Sequence, residues 1–414
     1  MGTIKIDDQE VSFEPGDSII RAAWRAGIEI PHYCWHPGLS VAASCRMCLV
    51  EITSGRRMDL PTLQWDAKKN EYVPTTKPKL QPACQMGAGD GMEISTKNEN
   101  VKQAHAAVQE FLLLNHPVDC PICDQAGECK LQDYWLDHGK NTKRKRSEPV
   151  HKVKGVRFGP TIVYDGERCV MCTRCIRVCD ELVGDSVLDM RQRGNKNEIF
   201  VAPGRELDHR YTLMTEHVCP VGALTSRDFR FKAWVWFLKS APGVCVGCAK
   251  GCNTHVDFDP RVSQVHRLRP RDNEEVNKYW MCDDGMMTYK EVHEDRVLVP
   301  RVGHGDQVQE VGYREGIAAA AARFAEVDGA RVAVVLSAGE TSENNHVAAS
   351  FAREVLGSDK LYLAARADWE GDDILRVADH NPNRAGAVMV AGGADALGSL
   401  EDLLADALAG NLDG

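Results

Sequence analysis

The chain has 414 residues, enough for several domains with their own cores, and a formal net charge of −10 at pH 7. This acidic balance excludes a nucleic-acid-binding function, because that function needs a basic surface to neutralise phosphates. The longest apolar stretches, at 233–238 and 331–336, are far too short to span a bilayer. The first residues lack the basic start and apolar middle of a secretory signal, so we expect a soluble cytoplasmic protein.

Sixteen cysteines are the most informative feature of the composition. An even count also fits a disulfide framework, but such frameworks belong to small secreted chains. In a reducing cytoplasm, cysteines separated by two or three residues are typical of metal ligands. We therefore expect these cysteines to hold metal centres.

The first cysteines follow a strand pair and a helix. Residues 3–13 alternate with period two, which predicts a hairpin that turns near Asp7. Residues 17–26 carry apolar side chains at helical spacing, with Asp17 as the predicted N-cap and Gly27 as the stop. A cysteine loop and further strands, including "CLVEIT", come next. This order of elements resembles the fold of plant-type ferredoxins.

The first cysteine group consists of the close pair Cys45 and Cys48, the earlier Cys34 and the remote Cys84. One loop can surround an inorganic core while the remote cysteine closes the site from another strand, as in plant-type 2Fe–2S proteins. Small residues in "SVAASC" (40–45) predict backbone N–H donation to sulfur, which helps to set a cluster's potential. Zinc is the alternative, but the first gap is long for a zinc site.

The second group, in "HPVDCPICDQAGEC", combines one histidine with three cysteines on a single loop: His116, Cys120, Cys123 and Cys129. Three cysteines can bind three of the four irons of a cubane 4Fe–4S cluster, so the fourth iron lacks a cysteine ligand. A helix predicted over 98–114 precedes the histidine and Pro117 follows it, so we expect a fixed ring direction and ligation by the imidazole. An imidazole in place of a thiolate removes one negative charge, which makes reduction easier, as in Rieske centres.

The third group, "CVMCTRCIRVCD" followed later by "CPVGAL", matches the ferredoxin run C-x2-C-x2-C-x3-C. In that run the fourth cysteine serves a second cluster, but no cysteine between Cys179 and Cys219 can complete one. We therefore predict one 4Fe–4S cluster on four cysteines: Cys169, Cys172, Cys175 and Cys219. Cys179 is then left as a small buried hydrophobe.

The fourth group is a clustered triplet with a remote closing cysteine: Cys245, Cys248, Cys252 and Cys282. It fits a further 4Fe–4S site. Structural zinc is the alternative, because C-x2-C patterns also build zinc ribbons, but the three neighbouring iron–sulfur signatures favour a cluster. The sequence thus predicts one 2Fe–2S and three 4Fe–4S clusters, held by fifteen of the sixteen cysteines and His116.

The rest of the sequence predicts a linker and a layered region without chemistry of its own. The basic run at 140–155 fits a solvated linker, with a nucleic-acid patch as the alternative. From about residue 310, "RVAVVL" and "KLYLAA" predict strands that alternate with helices in an α/β layer. The "AGG" at 391–393 matches no phosphate-loop motif and predicts a plain βα turn. Flavin and nicotinamide fingerprints, nucleophile elbows and zinc helices do not occur in the sequence, so we predict no catalytic residue.

These motifs, taken in order, resemble the large (75-kDa-type) iron–sulfur subunit of bacterial respiratory complex I, the NADH:quinone oxidoreductase. The resemblance rests on the 2Fe–2S module, "HAAVQEFLLLNHPVDCPICDQAGEC", "CVMCTRCIRVCDEL" and "CPVGALTS", and is dense over about residues 1–300. It implies the ligand sets given above for the first three clusters. It also implies a peripheral place at the cytoplasmic face of the membrane. There the chain would take electrons from the flavin- and NADH-binding subunit and pass them to the subunits that lead to quinone.

The fourth group resembles the cluster site of molybdopterin oxidoreductases. Two departures argue against that cofactor. The sequence "CDDGMM" (282–287) lacks the basic residue expected shortly after the last cysteine, and only about 130 residues follow it. We therefore expect a molybdopterin-oxidoreductase-like α/β region without molybdopterin.

The resemblance implies an α+β multidomain chain in five parts. They are a β-grasp 2Fe–2S ferredoxin-like domain (1–96), a His/Cys3-ligated 4Fe–4S module (97–139), a 4Fe–4S ferredoxin-like domain (140–240), a 4Fe–4S molybdopterin-oxidoreductase-type domain (241–300) and a truncated α/β domain (301–414). The alternatives are an iron–sulfur subunit of a soluble NAD-linked formate dehydrogenase or hydrogenase and, from another class, a zinc-stabilised scaffold. The catalytic cysteine motifs of those two enzymes do not occur in the sequence.

Overall fold

The computed structural model describes residues 2–140 and 144–413 of the chain. The chain divides into two units, Met1–Leu238 (unit 1) and Lys239–Gly414 (unit 2). Both units contain helices and several small sheets, mostly of antiparallel strands, so the α+β multidomain class is confirmed. The five-part division stays a prediction inside this coarser one.

Unit 1 begins with the strand pair and helix that the sequence predicts. The first elements, in chain order, are β1 (Gly2–Ile6), β2 (Gln9–Phe13), α1 (Ile19–Arg25), β3 (Leu49–Ser54), β4 (Asp59–Asp66), β5 (Glu71–Pro78), β6 (Gln81–Pro82) and β7 (Glu93–Ser95). Five strands form one sheet in the order β2-β1-β7-β3-β6, and β4 and β5 form a separate hairpin. Strand alternation places Ile4, Ile6 and Val11 against the apolar side of α1 in a common core.

Ser18 caps α1, so the prediction of Asp17 as N-cap was wrong. The Ser18 hydroxyl accepts a hydrogen bond from the Arg21 amide at 3.4 Å. The Asp17 carboxylate instead forms an ion pair with Arg25 at 2.8 Å, which joins the entry of the helix to its last turn. The predicted stop is confirmed, because Gly27 follows the helix with a φ of 72° that favours glycine.

Two helices flank the second cysteine group: α2 (Glu99–Leu113) and α3 (Lys130–His138). The first was predicted, and Asn98 caps it by accepting a hydrogen bond from a first-turn amide at 3.0 Å. On its buried face Gln109 donates to the Tyr33 hydroxyl at 2.6 Å, beside the first cysteine group. Helix α2 therefore connects the first two groups.

The third cysteine group lies between two paired strands. The remaining elements of unit 1 are β8 (Val156–Arg157), β9 (Ile162–Tyr164), α4 (Arg174–Arg177), β10 (Leu188–Arg191), β11 (Glu198–Val201), α5 (Thr212–His217) and β12 (Leu224–Ser226). Strand β9 precedes the clustered cysteines and β12 follows Cys219, and the two strands pair antiparallel. This pairing brings the remote cysteine back to the cluster of three.

The basic run predicted as a linker includes residues 141–143, which lie outside the described residues. Residues 144–155, which are described, contain no helix or strand. Arg144 in this segment forms an ion pair with Glu110 of α2 at 2.6 Å.

Unit 2 starts with an antiparallel sheet whose first hairpin loop carries three cysteines. Its elements are β13 (Lys239–Val244), β14 (Asn253–Asp259), β15 (Gln264–Pro270), α6 (Asp283–Met287), β16 (Arg301–Val302), β17 (Gln309–Glu310), α7 (Tyr313–Phe324), β18 (Val334–Ser337), α8 (Ser342–Ser350), β19 (Leu361–Ala364), α9 (Arg384–Ala391) and α10 (Leu400–Leu408). Strands β18 and β19 pair in parallel around a core that includes Leu336, Ala349 and Leu361, so the α/β layer is confirmed.

The "AGG" segment ends a helix, so the predicted βα turn was wrong. The apolar residues before it form α9, and Gly392 follows with a φ of 97°. A short apolar run fits a strand and a buried helix equally well, which explains the error. Among the described residues, no helix is long and apolar enough to cross a membrane.

Candidate metal centres

The first cysteine group comes together at one end of the five-stranded sheet. The Sγ atoms of Cys34 and Cys45 lie 3.4 Å apart. The Ala83 amide donates to the Cys48 carbonyl at 2.9 Å, which places Cys84, the next residue, beside Cys48. The loop and the remote strand therefore meet as predicted, with Cys45 half-buried and the other three cysteines buried.

Backbone amides point at the first sulfur, as the small residues of "SVAASC" predicted. The pKa of Cys34 is lowered to about 5, first by the side-chain hydrogen bond with Cys45 and then by the amides of Cys45 and Ser44. Ala43 and Arg46 adopt φ values of 50° and 61°, which turn the loop back over the sulfur. Backbone N–H groups directed at Cys34 favour the charged form of its sulfur.

The second group lines an open groove between α2 and α3. His116, Cys120 and Cys129 face this groove, together with apolar side chains such as Trp135. Burial raises the pKa of Cys129 to about 11, and the nearby Cys123 and Cys120 sulfurs raise it further. Three of the four predicted ligands thus face one groove, and Cys123 lies close enough to Cys129 to affect its pKa.

The ring of His116 has a fixed direction. Its Nδ1 accepts a hydrogen bond from the Val118 amide at 3.1 Å. Burial lowers the pKa of His116 to about 4, so the ring is neutral at pH 7, as a metal ligand must be. His116 would hold an iron through a ring nitrogen, and ligation through Nε2 would require the ring proton to move to Nδ1 and would break the Val118 contact.

Residues near the third cysteine group hold the loop of the second group in place. The Arg168 guanidinium donates twice to the Asp119 carboxylate, at 3.2 and 2.7 Å. The Lys130 amide donates to the Pro220 carbonyl at 2.9 Å. A Cβ atom on Gly222 would lie 2.4 Å from the Cys123 Sγ, so the "CPVGAL" loop covers this sulfur directly.

The third group lines a single cavity, which is the clearest metal-site geometry in unit 1. All four predicted cysteines face it: Cys169, Cys172, Cys175 and Cys219. Apolar side chains that include Ile199, Val221 and Leu224 form the remaining walls and limit the access of water. Burial raises the pKa of Cys169 to about 11, so the four thiols require a positively charged core to ionise together.

Cys179 does not line this cavity. Its side chain is fully buried, which confirms the prediction of a small buried residue. Burial raises its pKa to about 12, and its Sγ lies 3.6 Å from Nε2 of His209.

The fourth group lies between the β13–β14 loop and the start of α6. The Cys245 amide donates to the Cys252 carbonyl at 2.8 Å and closes the loop. A Cβ atom on Gly285 would lie 3.0 Å from the Cys245 Sγ and 3.4 Å from the Cys282 Sγ. Burial raises the pKa of Cys282 to about 12, and Cys245 and Cys248 raise it further, so the remote cysteine faces the triplet.

The described cysteines do not form a single-ion site. Among residues 2–140 and 144–413, no three His, Cys, Asp or Glu side chains converge closely enough to hold one metal ion. Zinc needs four ligands at about 2.0–2.3 Å from one centre. Thiols that surround a cavity, as in the third group, fit a core of several irons.

Two buried arginines beside the third group were missed at the sequence level. Arg174 and Arg177 stand between cysteines in "CVMCTRCIRVCD", and their side chains are buried. Basic residues inside a ligand run were the available signal. Their contacts with the loop of the first cysteine group could not be predicted, because those contacts depend on tertiary packing.

The ferredoxin-like sheet and the cysteine groups define an iron–sulfur protein of the ferredoxin class. Three family models match the chain: a 2Fe-2S iron-sulfur cluster binding domain (1–99), the NADH-ubiquinone oxidoreductase-G iron-sulfur binding region (106–144) and the ferredoxin-like domain of NADH-quinone oxidoreductase subunit 3 (159–225). The chain belongs to the family that contains NADH-quinone oxidoreductase subunit 3 and the G-type subunits of the same enzyme.

Two curated relatives illustrate the similarity. The G-type NADH-quinone oxidoreductase subunit of Rickettsia felis is 34% identical over 332 residues, which cover 80% of this chain and 46% of that protein. NADH-quinone oxidoreductase subunit 3 of Thermus thermophilus is 32% identical over 371 residues, with 85% and 46% covered. The chain thus spans about half the length of these relatives. A solved NAD+-reducing [NiFe]-hydrogenase structure is 26% identical, with a TM-score of 0.45 and coverage of 56% of this chain and 91% of that one, too loose a likeness to carry an argument.

Proposed function

We propose that the chain transfers electrons within an NADH-quinone oxidoreductase, from a flavin-bearing subunit towards quinone. The observation that carries the proposal is the cavity lined by the four sulfurs of the third group. The family of the chain and the sulfur groupings of the other sites support it. A bound iron–sulfur cluster supplies one-electron transfer without making or breaking bonds to a substrate.

In this proposal the first group holds a 2Fe–2S cluster and the other three groups hold 4Fe–4S clusters. The ligands are the fifteen cysteines and His116 named above, and molybdopterin is not expected. The chain's own residues keep water away from the third site, hold His116 neutral and donate backbone N–H groups to Cys34. Each of these contributions affects how readily the site accepts an electron.

The proposed partners are the NADH-binding flavin subunit and the other subunits of the peripheral arm. The membrane arm would be reached only through them, at the cytoplasmic face of the membrane. The support is that the curated relatives are named as subunits of such a complex. No nucleic-acid partner is proposed for this acidic chain.

Metal and sulfide analysis of the anaerobically purified chain tests the proposal. We expect about fourteen irons with matching labile sulfide per chain, and low-temperature EPR signals of one 2Fe–2S and up to three 4Fe–4S clusters after reduction. Tightly bound zinc without sulfide would exclude electron transfer. A tagged chain that co-purifies NADH-quinone activity supports this complex, whereas formate or hydrogen oxidation in the same preparation would favour the alternative enzymes.

A further inference from the structure

Arg177 connects the loops of the first and third cysteine groups. One terminal nitrogen of its guanidinium donates to the Cys34 carbonyl at 2.6 Å and to the Cys172 carbonyl at 3.2 Å. The other terminal nitrogen donates to the Ser40 carbonyl. A single side chain therefore holds two predicted ligand residues of different sites at once.

Arg174 makes a parallel connection one helical turn earlier. Its guanidinium donates to the Val218 carbonyl at 3.1 Å, next to Cys219, and to the Trp35 carbonyl, next to Cys34. Its Nε is buried and has no hydrogen-bond partner among the described residues. The two arginines thus join the same two loops at neighbouring points.

Both arginines are buried without a carboxylate. Arg174 is 9% exposed and Arg177 is 8% exposed. Among the described residues, neither guanidinium forms an ion pair with Asp or Glu, and all the acceptors of Arg174 are backbone carbonyls. Buried charges in proteins are normally paired, so these two cations need negative charge from another source.

Clusters bound at the first and third sites would carry the negative charge that these cations lack. The hydrogen bonds of the two guanidinium groups reach the carbonyls of Cys34 and Cys172 and the carbonyls of the residues next to Cys34 and Cys219. Both cations therefore lie against the ligand loops of the first and third sites.

We propose that Arg174 and Arg177 form a cationic bridge that serves as counter-charge to the first and third iron–sulfur sites, fixes their separation and raises both reduction potentials. This inference rests on the proposed function, because it requires clusters at both sites. Reduction adds one electron to a site and changes no bond, so the reduced form carries one more negative charge. A nearby buried cation stabilises that form more than the oxidised one.

Redox titration of the full-length chain, followed by EPR, tests the bridge. In Arg177→Gln we expect the equilibrium for reduction to fall on the order of tenfold at both the first and the third site, about 59 mV for a one-electron couple. Arg174→Gln should act in the same direction. The signal from the fourth group, in unit 2, should not change, and iron content should stay at the wild-type level.

Two variants separate charge from other effects. Arg177→Lys keeps the charge and should restore most of both potentials, although lysine lacks the planar fork that reaches two carbonyls. Arg205→Gln removes the same charge from an exposed ion pair with Asp185 and should leave every potential unchanged.

Unshifted potentials in both Arg174→Gln and Arg177→Gln, measured in chains that retain their iron, would overturn the bridge. An equal shift in Arg177→Lys and Arg177→Gln would overturn its electrostatic basis. If Arg177→Gln loses iron, Arg174→Gln decides by the same criterion. A wild-type chain that shows neither signal would refute the proposed function, which is a different outcome from unshifted variants.

Discussion

His116 is the residue whose replacement most directly reports on the second site. Its ring is neutral at pH 7 and faces a groove shared with Cys120 and Cys129. In His116→Cys a thiolate replaces a neutral ring and adds one negative charge, so we expect retained iron, an altered EPR signal for one 4Fe–4S cluster and a lower potential for it. His304→Cys, at an exposed position in unit 2, is the control. If the substitution of His116 leaves every cluster signal unchanged, the histidine is not a ligand.

Asp257 gives unit 2 a stability that depends on pH. The carboxylate is buried, which alone would raise its pKa, but Arg269 and Arg267 donate to it at 2.6 and 2.8 Å and the net pKa is lowered. A carboxyl whose pKa is lower in the folded chain stabilises it above the unfolded pKa of about 3.9, and this stabilisation disappears as the pH falls through the folded pKa.

We therefore expect the free energy of unfolding of unit 2 to decrease as the pH drops from about 5 towards 3. Asp257→Asn should weaken that dependence and cost about 3 kcal/mol at pH 7, because the buried Arg267 and the half-buried Arg269 lose the Asp257 carboxylate. Urea unfolding monitored by circular dichroism at several pH values measures both effects. Asp395→Asn, at an exposed position, should change neither, and an equal pH slope in Asp257→Asn and wild type would contradict the argument.

At the scale of elements, the loop between α5 and β12 serves two sites. It supplies Cys219 to the third group and places Gly222 against Cys123 of the second. A side chain at Gly222 would overlap the sulfur, so we expect Gly222→Ala to displace Cys123 and to lose about four irons from the second site. Iron analysis with EPR measures the loss.

Gly87→Ala is the matched control for this substitution. A Cβ atom at Gly87 would meet nothing within 4 Å, and its φ is not in the left-handed region. Iron content should therefore equal that of the wild type. If Gly222→Ala keeps the iron content of the wild type and the EPR signals of all four clusters, the present position of Cys123 is not required for cluster binding.

Local sequence explains which elements were predicted and which were not. The hairpin β1–β2 and helix α2 have clear periods and caps, and both form as expected. The N-cap of α1 was assigned one residue early because Asp17 and Ser18 are both good capping residues and only the fold decides which one meets an amide. The "AGG" error arose because a short apolar run does not distinguish a strand from a short buried helix.

The cysteine groupings were predictable because ligand spacing is a local property of the chain. The clustered cysteines lie close together in the chain, and in three of the four groups the closing cysteine had to be inferred from a more distant segment. The contacts of Arg177 with Cys34, and of Gly222 with Cys123, were not predictable. They join segments that lie far apart in the sequence, and no period or spacing specifies them.

At the scale of the whole molecule, the division at Leu238 separates three proposed clusters from the fourth. We expect a chain that ends at Leu238 to retain about ten irons and the EPR signals of the first three sites. The remaining segment, from Lys239 onward, should bind about four irons by itself. Iron analysis of the two purified fragments measures this, and loss of iron from the first three sites in the shorter chain would contradict independent units.

The pairing of β9 with β12 has a consequence for how the protein matures. Synthesis delivers three ligands of the third site first, and Cys219 joins them only when β12 emerges and completes the sheet. The second loop has all its ligands early, but Gly222, which covers Cys123, arrives with that same late strand. Iron delivered to a nascent chain therefore meets an uncovered second site and an incomplete third one. The second site can be covered and the third site completed only after β12 has paired with β9.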